Sequence, residues 1–518
     1  MSFDRRMLLR NATYLAALAG LTPSRSVLAT GLGTNPFTLG VAAGDPWPDG
    51  FVIWTRLAPD PLAPHGGMPA QSVPVGWEVA EDEAFSKIAR KGQSLARPEL
   101  GHSVHVELSG LEPHRHYWYR FHVAGSDVSP VGRARTAPPA TAPVDRVRIG
   151  VAGCQNWEIG YYDAYRALAQ ENDLDLVFHY GDYIYEAGPR PLGGPIVRQH
   201  LGETLYSLDD YRRRYAQYKM DPDLQAAHHA CAFAMSFDDH EVNNNWAGEF
   251  DQAGTPPEIF ALRRFAGLQA WYENVPVRRA QMPRPGGITA YRRLDYGRLL
   301  RTHVLDTRSY RTDQPCSDDP WSAGCTPQVH NSPSMLGSVQ EAWLDEGLGN
   351  GATWNLLAQQ VIMMQLDFRE PGTQEPIFQT DLWDGYRPAR ARVIESIRRH
   401  GLTNVVVSSG DHHKHAVGSV ALRDDDPAGE KVAVEFLATS ISSGGDGGGE
   451  KASRHLLSNN PNLDLYHDKR GYQVFDITPK RWTTDVRILD HVSAKGAPAS
   501  TLACYEVRPE SPRVQRIA

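Results

Sequence analysis

Short apolar runs that end in polar clusters organise this chain. The run Leu174-Asp175-Leu176-Val177-Phe178 is followed by Gly181-Asp182-Tyr183-Ile184-Tyr185. A run this short, bounded by turn residues, reads as a buried strand, so Asp182 is expected at its C-terminal edge. Val147 to Gly153 is an earlier run of the same kind and ends in Cys154-Gln155-Asn156. Tyr161 to Glu171, between the two, reads as a helix, which makes a βαβ unit and predicts a parallel sheet. Cys231 to Phe237 is a third run and ends in Asp238-Asp239-His240-Glu241-Val242-Asn243-Asn244-Asn245. Asn404 to Ser409 is a fourth and ends in Gly410-Asp411-His412-His413-Lys414-His415. Ligands of open α/β sheets bind at that C-terminal edge.

Residues 36–136 show a different pattern. Val73 to Val79 and Ser103 to Leu108 alternate apolar and polar positions, the period of half-buried strands. Pro74 has no amide donor, which predicts an edge strand. Leu111-Glu112-Pro113 followed by the aromatic stretch Tyr117 to Val123 is similar to fibronectin type III sandwiches. A Pro-rich linker, Thr136 to Pro143, leads to the larger domain, 145–518. There, Ser207 or Asp209 is expected to cap a helix through Tyr218, and Pro257 to start one reaching Glu273. Helices are also predicted from Ser338 and over Arg387 to His400. Antiparallel strands near Ala290 to Leu294 and Leu299 to Leu305 lead into Asp306-Thr307-Arg308. Gly444 to Gly449 reads as a flexible loop and a candidate lid.

Composition narrows the function classes. A chain of 518 residues with 41% hydrophobic residues can bury large cores in two or more domains. The net charge is −8 and the basic runs are short, as in Tyr211-Arg212-Arg213-Arg214, so nucleic acid is not the expected partner. Residues 1–29 have a charged start with Arg5-Arg6, an apolar middle from Ala12 to Leu21, and a small-residue end at Val27-Leu28-Ala29. That is an export-signal pattern, and the arginine pair predicts the twin-arginine machinery as partner and a periplasmic or secreted destination. No later run is long enough for a membrane span. Of the five cysteines, Cys316 and Cys325 could pair in a loop, Cys231 is expected in the core and Cys504 in a late strand.

The four strand ends together offer carboxylate, imidazole, thiolate and phenolate donors. Carboxylates crowded at one edge repel unless cations lie between them. Hard oxygens suit Ca²⁺ or Mg²⁺, while a thiolate, a phenolate and an imidazole suit a transition metal. The mixture predicts a mixed-metal site.

On these residues the chain resembles the PhoD-type alkaline phosphatases of the metallophosphatase superfamily. The motifs are Gly153-Cys154-Gln155, Gly181-Asp182-Tyr183-Ile184-Tyr185, Asp238-Asp239-His240-Glu241 with Asn244-Asn245, Leu305-Asp306-Thr307-Arg308, and Ser409-Gly410-Asp411-His412-His413. The resemblance implies an α/β fold, a four-layer α-β-β-α catalytic domain behind the small β-sandwich. It implies one Fe³⁺ and two Ca²⁺. Asp182 would bridge metals, and Tyr185 and Cys154 would bind the iron. Asp411 and His413 would complete the set, with Asp239 and Asn244 on calcium and His240 near substrate. A metal-activated oxide or hydroxide would attack small phosphate monoesters and diesters. Arg308 would either clamp the phosphate or form a salt bridge with Asp306.

Two other readings remain at this stage. The same metals could serve a phospholipase D-like or nucleotide phosphodiesterase. A secreted binding protein with structural calcium would need neither iron nor phosphate release.

Overall fold

The computed structural model describes residues 35–123, 127–189, 196–315, 333–450 and 454–518. The export signal and the Cys316–Cys325 pair lie outside them. Two large sheets face each other. One has ten strands and the other seven, and a four-stranded sheet lies to the side.

The strand sequences explain the layering. Val147, Ile149 and Val151 point into the core between the sheets, while Ala152 and its neighbours Phe233 and Met235 face outward to helices. Val406 faces inward, and Val405 and Val407 face the opposite helix layer. A strand buried on both faces has to be apolar throughout, which is why these runs lack polar alternation. Phe436–Phe475 and Trp354–Trp482 ring pairs, 5.7 and 5.6 Å between centroids, join the two sheets. Helices Asp163–Ala169, Leu208–Lys219, Pro222–Ala230 and Pro257–Asn274 cover the larger sheet. Gly337–Leu348 and Arg387–Arg399 cover the smaller. This is the expected α-β-β-α arrangement. Of the two caps the sequence offered, Ser207 and Asp209, Ser207 caps the helix, in a reciprocal box with Asp210.

The N-terminal strands do not stand apart. Val41–Trp47 pairs in parallel with Ala232–Met235, so the larger sheet continues through Gly50–Arg56 to Ser103–Glu107. The four-stranded sheet packs on them through Phe51 against Tyr117 and Tyr119, with centroids 6.5 and 6.2 Å apart. Val73–Ala80 is not the edge strand that Pro74 suggested. It lies between Ile88–Ala96 and His116–Val123. Proline is tolerated because the ladder to His116–Val123 begins only at Val75. The glycine loop is not free either. Asp446 accepts the Val492 and Ser493 amides, and Asp468 Oδ2 accepts that of Gly448, so the loop is tied down.

Candidate metal centre

Glycines let the strand ends converge. The Tyr180 ring is wedged between Gly153 and Gly410, where an added Cβ would meet it at 2.3 and 2.2 Å. Its hydroxyl donates to the Thr439 carbonyl at 2.8 Å. Each of these glycines precedes a donor residue, so the small side chain brings Cys154 and Asp411 to the same place. Cys154, Asp182, Asp411 and His413 all have left-handed backbone, with φ of 51, 55, 66 and 59°. That conformation costs about 1–2 kcal/mol for a residue with a Cβ. Such strain concentrates where side chains must be aimed at a ligand.

Three donor groups share Asp182. It lies with Cys154 and His413, with Asp239 and His240, and with Asp238, Asp239 and Asp411, the donor atoms of each group within 4.8 Å of one another. Asp182 Oδ2 accepts from Cys154 Sγ at 3.2 Å and from Tyr185 Oη at 2.9 Å. Tyr185 Oη is also 3.1 Å from His413 Nε2. The soft and aromatic donors thus sit on one side of Asp182 and the carboxylates on the other. Asn244 is further out on the cavity lining, its amide N–H on Glu186 and its side chain on Gln252. His412 is bonded to Tyr466, whereas His413 groups with Cys154 and Asp182.

The electrostatics of the cluster suit cations. Burial, then Asp239, pushes the Asp182 carboxyl well above its usual range. Burial, then Asp238, does the same to Asp411. Burial and Asp182 raise the Cys154 thiol and the Tyr185 phenol. Burial opposes charge on Asp239, yet His240 and Arg308 hold its carboxyl low. Asp238 Oδ2 is buried with no hydrogen-bond partner. A crowd of buried anionic donors with an orphaned oxygen fits cations, which would remove both the repulsion and the desolvation cost.

His240 and Arg308 have separate surroundings. His240 Nδ1 is 2.6 Å from Glu186 Oε2, and its ring lies 4.1 Å from that of Tyr185. Burial works against its charge, but Asp239, Glu186 and Asp182 hold the imidazolium well above the ordinary range. Arg308 is fully buried. Its Nε donates to Asp238 at 2.6 Å and its Nη1 to Asp381 at 2.9 Å. This corrects both sequence readings of Arg308. It does not line the cavity, and Asp306 accepts its backbone amide rather than its guanidinium.

Several contributors were not singled out in the sequence. Glu241 accepts the amides of Asp182, Tyr183 and Asp238 at 3.1, 2.6 and 2.9 Å, which locks two motifs together. Glu186 follows Tyr185 directly and could have been added to that motif. Ser443 Oγ lies 2.6 Å from Tyr185 Oη and 2.8 Å from the Cys154 carbonyl, and only its place beside the glycine run hinted at it. Asp381 gave no sequence signal. A cavity of about 540 Å³ opens over Asp182, Asp239, His240 and Asp411.

Known proteins resemble this chain over nearly its whole length. The model of the PhoD-like phosphatase family matches residues 149–486, and that of its N-terminal domain matches 22–138. Alkaline phosphatase D of Bacillus subtilis (strain 168) is 43% identical over 533 residues, spanning 100% of this chain and 90% of the relative. A solved structure of PhoD superposes with a TM-score of 0.90 at 42% identity, covering 95% of this chain and 94% of that one. With fold, converging donors and near full-length similarity in agreement, the chain belongs to the PhoD-like phosphatase family.

Proposed function

We propose that the cavity hydrolyses small phosphate esters, monoesters and diesters, with cations held by Cys154, Asp182, Tyr185, Asp239, Asn244, Asp411 and His413. The chain is a phosphoric ester hydrolase by family. One Fe³⁺ beside Cys154, Tyr185 and His413, with two Ca²⁺ on the carboxylate side, matches donor softness to each ion. The sharing of Asp182 by all three donor groups is the observation that supports this reading most. When bound, the cations would accept phosphate oxygens, neutralise charge in the transition state and activate the attacking water.

The protein's own residues supply the rest. His240 Nδ1 donates to Glu186, so in the imidazolium the second proton, on Nε2, is the one free to be given up on a residue that lines the cavity. That proton can meet the departing oxygen of the ester. Arg308 balances Asp238 and Asp381 and keeps the carboxylate side from repelling itself. Export through the twin-arginine route follows from Arg5-Arg6 and the apolar stretch behind them. Among the described residues no helix is long and apolar enough to cross a membrane.

Metal analysis of the purified protein, paired with phosphate release from a chromogenic ester, tests the reading. Iron and calcium with turnover, both lost in Asp182→Ala, is the expected result. A folded Asp182→Ala protein with full activity would remove this site from consideration.

A further inference from the structure

The Ser443 hydroxyl touches two of the residues on the soft side of the centre. Its Oγ lies 2.6 Å from Tyr185 Oη and 2.8 Å from the Cys154 carbonyl, and it accepts the Asn156 amide at 3.1 Å. The side chain is buried. It arrives there because residues 441–443 wrap the turn that carries Cys154. The Ile441 amide donates to the Gly153 carbonyl at 2.9 Å, and the Ser442 and Ser443 amides donate to the Cys154 carbonyl at 3.4 and 3.2 Å. Ser442 Oγ adds a bond to the Asn156 carbonyl at 2.8 Å. The Ser443 carbonyl is held in turn by Ser440 Oγ at 2.5 Å and by the Arg470 guanidinium. The position of the hydroxyl is thus set by the backbone that bears it.

A serine hydroxyl has one proton and two acceptor sites, and its proton rotates to suit its neighbours. The Asn156 amide takes one acceptor site. Two oxygens compete for the proton, the Cys154 carbonyl and Tyr185 Oη. While Tyr185 keeps its own proton, both of its near neighbours Asp182 Oδ2 and Ser443 Oγ can accept it, and the serine proton is free for Cys154. A cation on the Tyr185 oxygen takes the place of the phenolic proton and leaves an anionic acceptor beside Ser443. Hydrogen bonds to ionised acceptors are about twice as strong as neutral ones. The Cys154 carbonyl loses little when the hydroxyl turns, because it keeps the two backbone amides.

We infer that Ser443 is a positioning residue of the metal centre, whose hydroxyl donates to the Tyr185 oxygen in the loaded protein and so limits the charge that oxygen gives to the iron. The inference rests on the iron site proposed above and adds to it a residue that holds no metal itself. Partners of this kind fix the orientation of a ligand and tune the ion it binds.

The test is the visible spectrum of the iron-loaded full chain, in which a phenolate on Fe³⁺ gives a charge-transfer band. A hydrogen bond holds the phenolate electrons more tightly. Ser443→Ala should therefore move the band to lower energy and lower the reduction potential of the iron. Iron affinity should fall about 10–100-fold, and calcium affinity should fall less. Ser443→Thr keeps the hydroxyl and should keep the band near the parent energy. Resonance Raman spectra of the parent need no variant. The phenolate C–O stretch should shift between ordinary and heavy water, and in Ser443→Ala that shift should vanish. A band at the parent energy in Ser443→Ala overturns the inference even if iron binds more weakly, because that pattern marks a loosened turn and not a lost donor. So does a C–O stretch in the parent that ignores heavy water. Iron bound with no band, the result expected of Tyr185→Phe, would take Tyr185 off the iron and the inference with it. A parent that binds no iron would overturn the site reading itself.

Discussion

Cys154 Sγ and Asp182 Oδ2 lie 3.2 Å apart in a fully buried setting. Burial and Asp182 raise the proton affinity of Cys154, while burial and Asp239 raise that of Asp182. The contact therefore makes sense as two ligands of one ion. Because both must lose protons to bind it, loading should release protons and weaken as pH falls.

Cys154→Ala should lower transition-metal affinity at least about 100-fold while leaving the fold intact. Equilibrium dialysis against iron, with circular dichroism as the control, reads this directly. Calcium binding should suffer less, because Cys154 groups with Asp182 and His413 rather than with Asp239 and Asp411. Equal loss of both metals would mean that the centre does not divide at Asp182.

His240 supplies a pH prediction. Its charge is held up by Asp239, Glu186 and Asp182 against burial, so its folded pKa is raised. A mechanism that uses the imidazolium loses rate as pH rises through that value. Glu186→Gln removes one of the supporting carboxylates. The alkaline limb of the kcat profile should then move to lower pH, and kcat should fall about 10–100-fold near neutrality. A uniform drop with no movement of the limb would assign Glu186 a purely structural role.

Much of the centre could be read in the chain because each donor closes an apolar run. Cys154, Asp182, Asp239 and Asp411 follow strands whose alternating residues fill two cores, so their position at the sheet edge follows from local pattern. Asp381 could not be read that way. It meets Arg308 across 73 residues of sequence from a segment with no periodic pattern. The parallel pairing of Val41–Trp47 with Ala232–Met235 was hidden for the same reason. Pro74 misled because it pairs with Leu95 on one side only, and the strand on its other side pairs from Val75 onward. The helix Pro222–Ala230 did leave a local sign, Asp221 as cap followed by proline, which the hydrophobic pattern overshadowed.

Export depends on residues 1–29, and replacing Arg5 and Arg6 together by lysine should stop it. Cell fractionation should then find the precursor retained inside, with enzyme activity retained there too if the metals are loaded before transport. Amino-terminal sequencing of the exported parent should begin near residue 30, after Val27-Leu28-Ala29. Normal export of the double lysine variant would point to another route.

Chelation should steepen the loss of stability with rising pH. Burial, opposed by Arg308, raises Asp238 from 3.8 to about 6, and burial raises Glu241 from 4.5 to about 7. A carboxyl whose folded pKa is raised favours folding in its protonated form. That contribution is complete below the unfolded pKa and is lost as pH rises through about 6 to 7. The metal-free protein should therefore melt lower at pH 8 than at pH 5. Metal-loaded protein should lose less over the same range, since cations offset the charges. Glu435, also raised to about 7 by burial but joined to Ser409 and the Met363 and Met364 amides, should contribute the same loss to both forms. Parallel curves for the two forms would mean that the cations do not offset the charges of Asp238 and Glu241.

Arg308 separates a structural role from a substrate role. Its guanidinium bridges Asp238 and Asp381, both buried, and lies 3.7 Å from Asp411. Removing one member of a buried ionic group leaves the others uncompensated, which costs about 3–5 kcal/mol. Arg308→Met should therefore lower the unfolding free energy by about that amount in chelator, measured by urea titration. Added metal should recover part of the loss, because cations reach the same carboxylates from the other side. Arg308→Lys keeps the charge but not the fork that spans two carboxylates, so its loss should be intermediate. A phosphate clamp predicts the opposite pattern. KM would rise in both variants while stability in chelator stayed at the parent value.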